Sequence, residues 1–194
     1  MAGIYDLMEW PMERLLFRRL RCRAVEYAEG RTLEVGVGTG KNLEFYPSGM
    51  ELSAIDFSPG MLEVAARKAE QPGMPLVELR EMDLEDMDYA DGSFSTVIST
   101  FVFCTVPHPM KGLMEIRRVL EPGGKAVFLE HMRSGNPILN IFLCAMSRFT
   151  RPILGDSMVR RTLSSIRNAG FEVSSVEDNL FGIVKLITAG RGPD

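Results

Sequence analysis

The sequence predicts an α/β fold: a doubly wound, mostly parallel sheet with helices on both faces and a helical N-terminal arm. Three observations carry that prediction. Short apolar, β-branched runs alternate with amphipathic stretches of about a dozen residues, the pattern of strands joined by crossover helices. Glycine and proline mark several boundaries between these runs, at Gly30, Pro47, Pro122-Gly123-Gly124 and Gly170. A glycine-rich turn follows the first strand directly. The length of 194 residues, 45% of them hydrophobic, suits one compact domain with a real core.

Residues 6–29 place Leu7, Met8, Leu15, Leu16, Leu20, Val25 and Tyr27 at helical spacing among arginines, with a break near Pro11 and a stop at Gly30. Thr32–Val35 is a short apolar strand, after which the glycine turn opens a helix expected to run to Tyr46 and stop at Pro47. Leu52–Ile55 is the second strand. Ser58 and Pro59 then start a helix towards Glu70, with Ser58 as N-cap and Pro59 at the first helical position. Leu76–Arg80 and Thr96–Val102 are the third and fourth strands, the latter apolar enough for burial on both faces. Pro109–Leu120 is helical, and Pro122-Gly123-Gly124 turns the chain into the strand Lys125–Glu130. A helix over Ser157–Ala169 stops at Gly170. Two strand-like runs close the chain, Phe171–Val176 and Phe181–Thr188, and the polar link Glu177-Asp178-Asn179 suggests an antiparallel hairpin.

Composition excludes several classes of function. A net charge of −4 argues against broad nucleic-acid binding, which needs a basic footprint. Three cysteines, Cys22, Cys104 and Cys144, lie far apart and form no disulfide framework or C-x-x-C pair. With two histidines, His108 and His131, no protein-bound metal is expected. No apolar run approaches the ~20 residues of a membrane span, and Met1–Glu13 lacks a signal peptide's order, so the cytoplasm is the simplest address.

A strand that ends in glycines offers its backbone to an adenosine-containing cofactor, because glycine permits close approach. The dinucleotide fingerprint needs its third glycine where Lys41 stands; here Gly36, Gly38 and Gly40 are spaced by two. Glu34, two residues before the first glycine, suits a cofactor bearing a positive amino group and would repel a phosphate. Asp56 stands twenty positions after Gly36, where a carboxylate accepts both ribose hydroxyls. Asp83, after the third strand, is placed for the adenine amino group.

Five segments now stand in order: Leu33-Glu34-Val35-Gly36-Val37-Gly38-Thr39-Gly40, Ala54-Ile55-Asp56-Phe57-Ser58, Met82-Asp83-Leu84, Asp91-Gly92-Ser93-Phe94-Ser95 and Arg118-Val119-Leu120-Glu121-Pro122-Gly123-Gly124. Together they resemble the ordered motifs of class I S-adenosylmethionine-dependent methyltransferases, over about residues 31–130. The resemblance implies a seven-stranded sheet whose last strand is antiparallel, with S-adenosylmethionine as cofactor and S-adenosylhomocysteine as product. It implies that Glu34 and the Gly36–Gly40 backbone hold the methionine end, that Asp56 takes the ribose with Phe57 and Met61 beside it, and that Asp83 and the Leu84 N–H recognise adenine. Thr100 and Phe101 would line the methyl-transfer side. Val127-Phe128-Leu129-Glu130-His131 and Gly155-Asp156-Ser157 are similar to a group that methylates quinone precursors, phospholipid amines and thiols.

The acceptor is therefore expected to be a small apolar or lipid-like molecule. Phe101–Val106 is an apolar wall, and Pro137–Phe149, inside a substrate-side insertion over about 132–156, is nearly uncharged. That stretch reads equally as a buried helix or a dimer contact. His131 is either a catalytic base or a strand cap. Tyr5, with Asp6, is either part of a lid closing over the cofactor from the arm 1–30 or a frayed terminus. Arg14, Arg18, Arg19, Arg21 and Arg23 either meet anionic head groups at a membrane surface or form a solvated helix face. Two other functions compete: a non-catalytic cofactor-binding domain, and a nicotinamide-dependent oxidoreductase, against which Lys41 counts.

Overall fold

Successive residues of each strand face opposite sides of the sheet, and that alternation builds two cores. The computed structural model describes residues 17–131 and 162–192. Within them β1 (Thr32–Val35), β2 (Glu51–Asp56), β3 (Leu76–Glu81), β4 (Phe94–Thr100), β5 (Leu120–His131), β6 (Phe171–Asn179) and β7 (Val184–Arg191) form one sheet in the order β3-β2-β1-β4-β5-β7-β6. Strands β1 to β5 pair in parallel, and β7 runs antiparallel to both its neighbours.

On one face Leu33, Ile55, Val97, Phe128 and Ile187 pack with Leu113 and Ile116 of α3 (Pro109–Val119) and Ile166 of α4 (Thr162–Asn168). On the other, the intervening Ala54, Ile98, Val127 and Leu186 meet Leu20 and Ala24 of α1 (Arg18–Val25) and Leu62 of α2 (Pro59–Ala69). Helices therefore cover both faces, as the doubly wound prediction requires. Because β1, β4 and β5 are sandwiched, their residues are buried in runs rather than in alternation.

Five local expectations are corrected. No α-helix follows the glycine turn: Gly36, Gly38 and Gly40 all have positive φ, so the backbone coils through turns into a 3-10 turn, Leu43–Phe45. Ser58 does stand at the N-cap of α2 but makes no capping bond with its side chain; its own N–H is held by Asp56. Pro122-Gly123-Gly124 lies inside β5 as an irregularity, since pairing jumps from Phe94↔Leu120 to Thr96↔Lys125. Glu177, Asp178 and Asn179 belong to β6, opposite Leu186, Lys185 and Val184. The reversal is made by Leu180–Gly182, where Leu180 and Gly182 both take positive φ. Strand β4 also ends two residues earlier than expected, at Thr100, because Phe101 has a φ of 59°.

Phe128 shows what one core position contributes. It is fully buried and meets Phe103 and Phe171 edge-on, with centroids 5.9 and 5.8 Å away. Phe128→Ala should lower stability by about 3–5 kcal/mol in urea unfolding; a loss below about 1 kcal/mol would show that the core at this site collapses around the deletion.

Candidate functional site

Strand order reverses at β1, whose two neighbours are β2 and β4. In open α/β sheets the crevice for a ligand opens at the carboxyl ends of the strands beside that reversal. Glu34 near the end of β1, the Gly36–Gly40 loop, Asp56 at the end of β2 and Thr100 at the end of β4 all gather there.

Glu34 is 1% exposed. Its Oε1 accepts from Asn42 Nδ2 at 2.9 Å, and the same amide nitrogen donates to Thr100 Oγ1 at 3.0 Å. From α1, Arg21 Nη1 donates to Thr100 Oγ1 at 2.8 Å and to Asn42 Oδ1 at 3.2 Å. A buried polar network thus ties α1, β1, the loop and β4 together. Burial pushes the Glu34 carboxyl up to about 7, against the opposing pull of Tyr46, Arg21 and Asn42. Among the described residues, neither Glu34 Oε2 nor the buried Tyr46 hydroxyl makes a hydrogen bond of good geometry, although each biases the other's ionisation.

The glycines differ in what fixes them. A Cβ on Gly36 would fall 2.5 Å from Val102 Cγ2, so the chain's own packing requires that glycine. Gly38, with φ 55°, has nothing among the described residues within 4 Å of where a Cβ would stand. Its N–H donates to Asp56 Oδ2 at 2.8 Å, while Ser58 N–H donates to Asp56 Oδ1 at 2.9 Å. The loop amide is therefore spent on Asp56 rather than left free as at a helix start. Each Asp56 oxygen keeps room for a second donor.

Phe57 is 74% exposed beside Asp56, and Met61 is half-buried in the first turn of α2. Asp83 is exposed and accepts the Glu85 N–H at 2.8 Å, whereas the Leu84 side chain enters the core. Phe101 and His131 stack with centroids 4.6 Å apart, and Phe17 lies 5.0 and 5.5 Å from them. Arg21 sits 4.9 Å from the Phe101 ring. The structure thus brings Glu34, Gly36, Gly38, Gly40, Asp56 and Thr100 together, with Phe101 and His131 adjacent on the α1 face. Tyr5, Asp6, Arg14, Pro137–Phe149 and Gly155–Ser157 lie outside the described residues.

Arginines of the N-terminal cluster are drawn into the structure. Arg18 pairs with Glu44 at 2.8 Å, Arg23 pairs with Glu177, and Arg21 is buried. His108 anchors a different loop through Glu85 Oε2 at 2.8 Å from Nδ1. No helix of the described residues is long and apolar enough to cross a membrane, and none of their side chains form a group of three metal-binding type. Sequence reasoning missed Asn42, which carries no periodic signal in a turn, and Arg21, hidden among its neighbours in the arginine cluster.

A profile of the methyltransferase domain matches residues 33–128. Over 133 residues the chain is 38% identical to a phosphatidylethanolamine N-methyltransferase of Cereibacter sphaeroides, covering 68% of this chain and 66% of that one. It is 31% identical to the human thiol S-methyltransferase TMT1B over 169 residues, 85% of this chain and 69% of that protein. A demethylmenaquinone methyltransferase of Clavibacter sepedonicus is 38% identical over 64% of this chain and 51% of its own length. Among solved structures, an S-adenosylmethionine-dependent methyltransferase of Thermotoga maritima superposes with a TM-score of 0.71 at 19% identity, over 97% of this chain and 95% of that one. By sequence and by sheet order, the chain belongs to the class I S-adenosylmethionine-dependent methyltransferases.

Proposed function

We propose that this chain transfers a methyl group from S-adenosylmethionine to a small apolar or lipid-like acceptor: a thiol, a phospholipid amine or a quinone precursor. The observation that carries the reading is Gly38, with no described residue within 4 Å of a Cβ there, its N–H held by the Asp56 carboxylate and the buried Glu34 carboxyl nearby in the same strand-end cluster. A backbone that a ligand can approach, beside negative charge and no phosphate clamp, fits an adenosine cofactor that carries a cation.

In this reading Asp56 receives the ribose hydroxyls on the acceptor capacity left after Gly38 and Ser58, and exposed Phe57 with Met61 flanks the adenosine. Asp83 and the Leu84 N–H read the adenine edge. Glu34, sealed beneath the loop, acts through its charge on the amino group of the methionine end rather than as an open contact. Thr100 and Phe101 border the methyl side, where His131, stacked on Phe101, is the candidate base for an acceptor that must lose a proton; Tyr5 belongs to a lid. The cofactor supplies an activated methyl on a positively charged sulfur. What the chain contributes is orientation of the acceptor's lone pair in line with that methyl, and exclusion of water. The relatives' names divide among phospholipid, thiol and menaquinone acceptors, and the apolar Phe101–Val106 segment suits all three.

Two tests follow from these roles. Radiolabelled S-adenosylmethionine offered with an alkyl thiol, phosphatidylethanolamine vesicles and a demethylmenaquinol should label at least one acceptor. No label on any, with S-adenosylhomocysteine still bound, would overturn the acceptor assignment and favour a cofactor-binding domain without transfer. The second test is pH. A carboxyl titrating at about 7 is neutral in acid, so cofactor affinity should weaken by about tenfold between pH 8 and pH 6. Glu34→Gln should flatten that dependence, and an unchanged profile in the variant would remove Glu34 from the cofactor's field.

A further inference from the structure

A second buried carboxylate stands beside the site and the cofactor roles leave it unused. Glu130 of β5 is 1% exposed and lies on the α3 face, in step with Phe128. Its Oε1 accepts the Ser99 hydroxyl at 3.1 Å, the Val102 N–H at 3.0 Å and the Phe103 N–H at 3.3 Å. Those two amides follow Phe101, whose left-handed φ of 59° is unfavourable for a bulky side chain. The Phe101 N–H donates to the Leu129 carbonyl at 2.7 Å. Both ends of the strained turn are thus fastened to β5, one by its backbone and one by Glu130.

The turn divides the chain's aromatic side chains between the two faces. Phe101 goes to the α1 face against Phe17 and His131, and Phe103 goes to the α3 core. Between them Val102 presses on Gly36, close enough to forbid a Cβ there. The position of this turn therefore sets both the wall on the methyl side and the height of the glycine loop. Strain at a non-glycine residue persists only where surrounding bonds over-determine it, and three bonds to one carboxylate oxygen supply that.

We propose that Glu130 is a positioning residue for methyl transfer: by accepting the amides of Val102 and Phe103 it holds Phe101 in its left-handed conformation and so fixes the surface against which the acceptor meets the methyl group. The proposal rests on the methyltransferase reading above. Burial raises the Glu130 carboxyl to about 7, with the accepted bonds and Arg21 opposing; all three partners donate to Oε1, and an uncharged carboxamide oxygen accepts such donors as well. An acceptor oxygen, rather than the charge, is what the turn requires.

The test compares Glu130→Gln, which keeps an acceptor of the same reach, with Glu130→Leu, which removes it, in the full chain. Amide hydrogen exchange at Val102 and Phe103 should quicken at least tenfold in the Leu variant and stay near wild type in the Gln variant, with β1 amides unchanged in both. With whichever of the thiol, phosphatidylethanolamine or demethylmenaquinol the wild-type chain methylates, the Leu variant should lose at least tenfold in kcat while its S-adenosylhomocysteine Kd moves less than threefold. The Gln variant should retain kcat within threefold. Parallel losses of kcat and cofactor affinity in the Leu variant, unchanged exchange at the two amides, or a Gln variant as impaired as the Leu variant would each overturn the proposal. If Glu130→Leu does not fold, Glu130→Asp, too short to reach both amides, takes its place with the same expected outcome. Should the wild-type chain methylate none of the three, the acceptor assignment fails and the exchange measurement alone decides the anchor.

Discussion

The constraint on which the site depends is the cost of burying the Glu34 carboxylate at the end of a central strand. A carboxylate without solvent needs donors: Asn42 Nδ2 donates to Glu34 and also to Thr100 Oγ1, while Arg21 donates to that Thr100 oxygen and to Asn42 Oδ1 and so holds the donating amide in place. That requirement positions α1 over the sheet, because Arg21 reaches the network only when the helix lies over β4 and β5. It also pins the segment after the glycines, since Asn42 must face inward. Removing one member would strand the others without water, which is why such networks hold as a unit.

Two buried carboxyls, Glu34 on the α1 face and Glu130 on the α3 face, flank the strand ends. Each binds its proton more tightly in the folded chain than in the unfolded one, with burial the leading cause. Their contribution to stability is therefore full below the ordinary carboxylate range and is lost as pH rises through about 7. The fold carries that loss at neutral pH, where the proposed role of Glu34 towards a cationic cofactor needs its charge. Stability given up at a functional site is a familiar trade.

Much of this was legible in the residues. The alternation of strands and helices, the glycine turn and the spacing from Gly36 to Asp56 follow from local chemistry, and the sheet order and closing antiparallel pair agree with them. Where the structure departs from these local signals, non-local geometry decides. The helix expected after Gly40 fails because three glycines in the left-handed region belong to a loop shaped by Val102 and Ala65, residues far away in the chain. The hairpin turn was displaced because Glu177–Asn179, polar enough for a loop, pair across β7 instead. Arg21 sits unmarked in a run of arginines, and Glu130 stands out only as part of the Val127–His131 stretch, next to a histidine that invites a catalytic reading. Only the fold shows that both aim at the same strand ends.

The most direct measurement of the central claim is calorimetric titration of the full chain with S-adenosylhomocysteine and, separately, with NAD. The geometry at Glu34, Gly38 and Asp56 predicts micromolar-range binding of the first and none of the second; binding of NAD with no response to S-adenosylhomocysteine would contradict it.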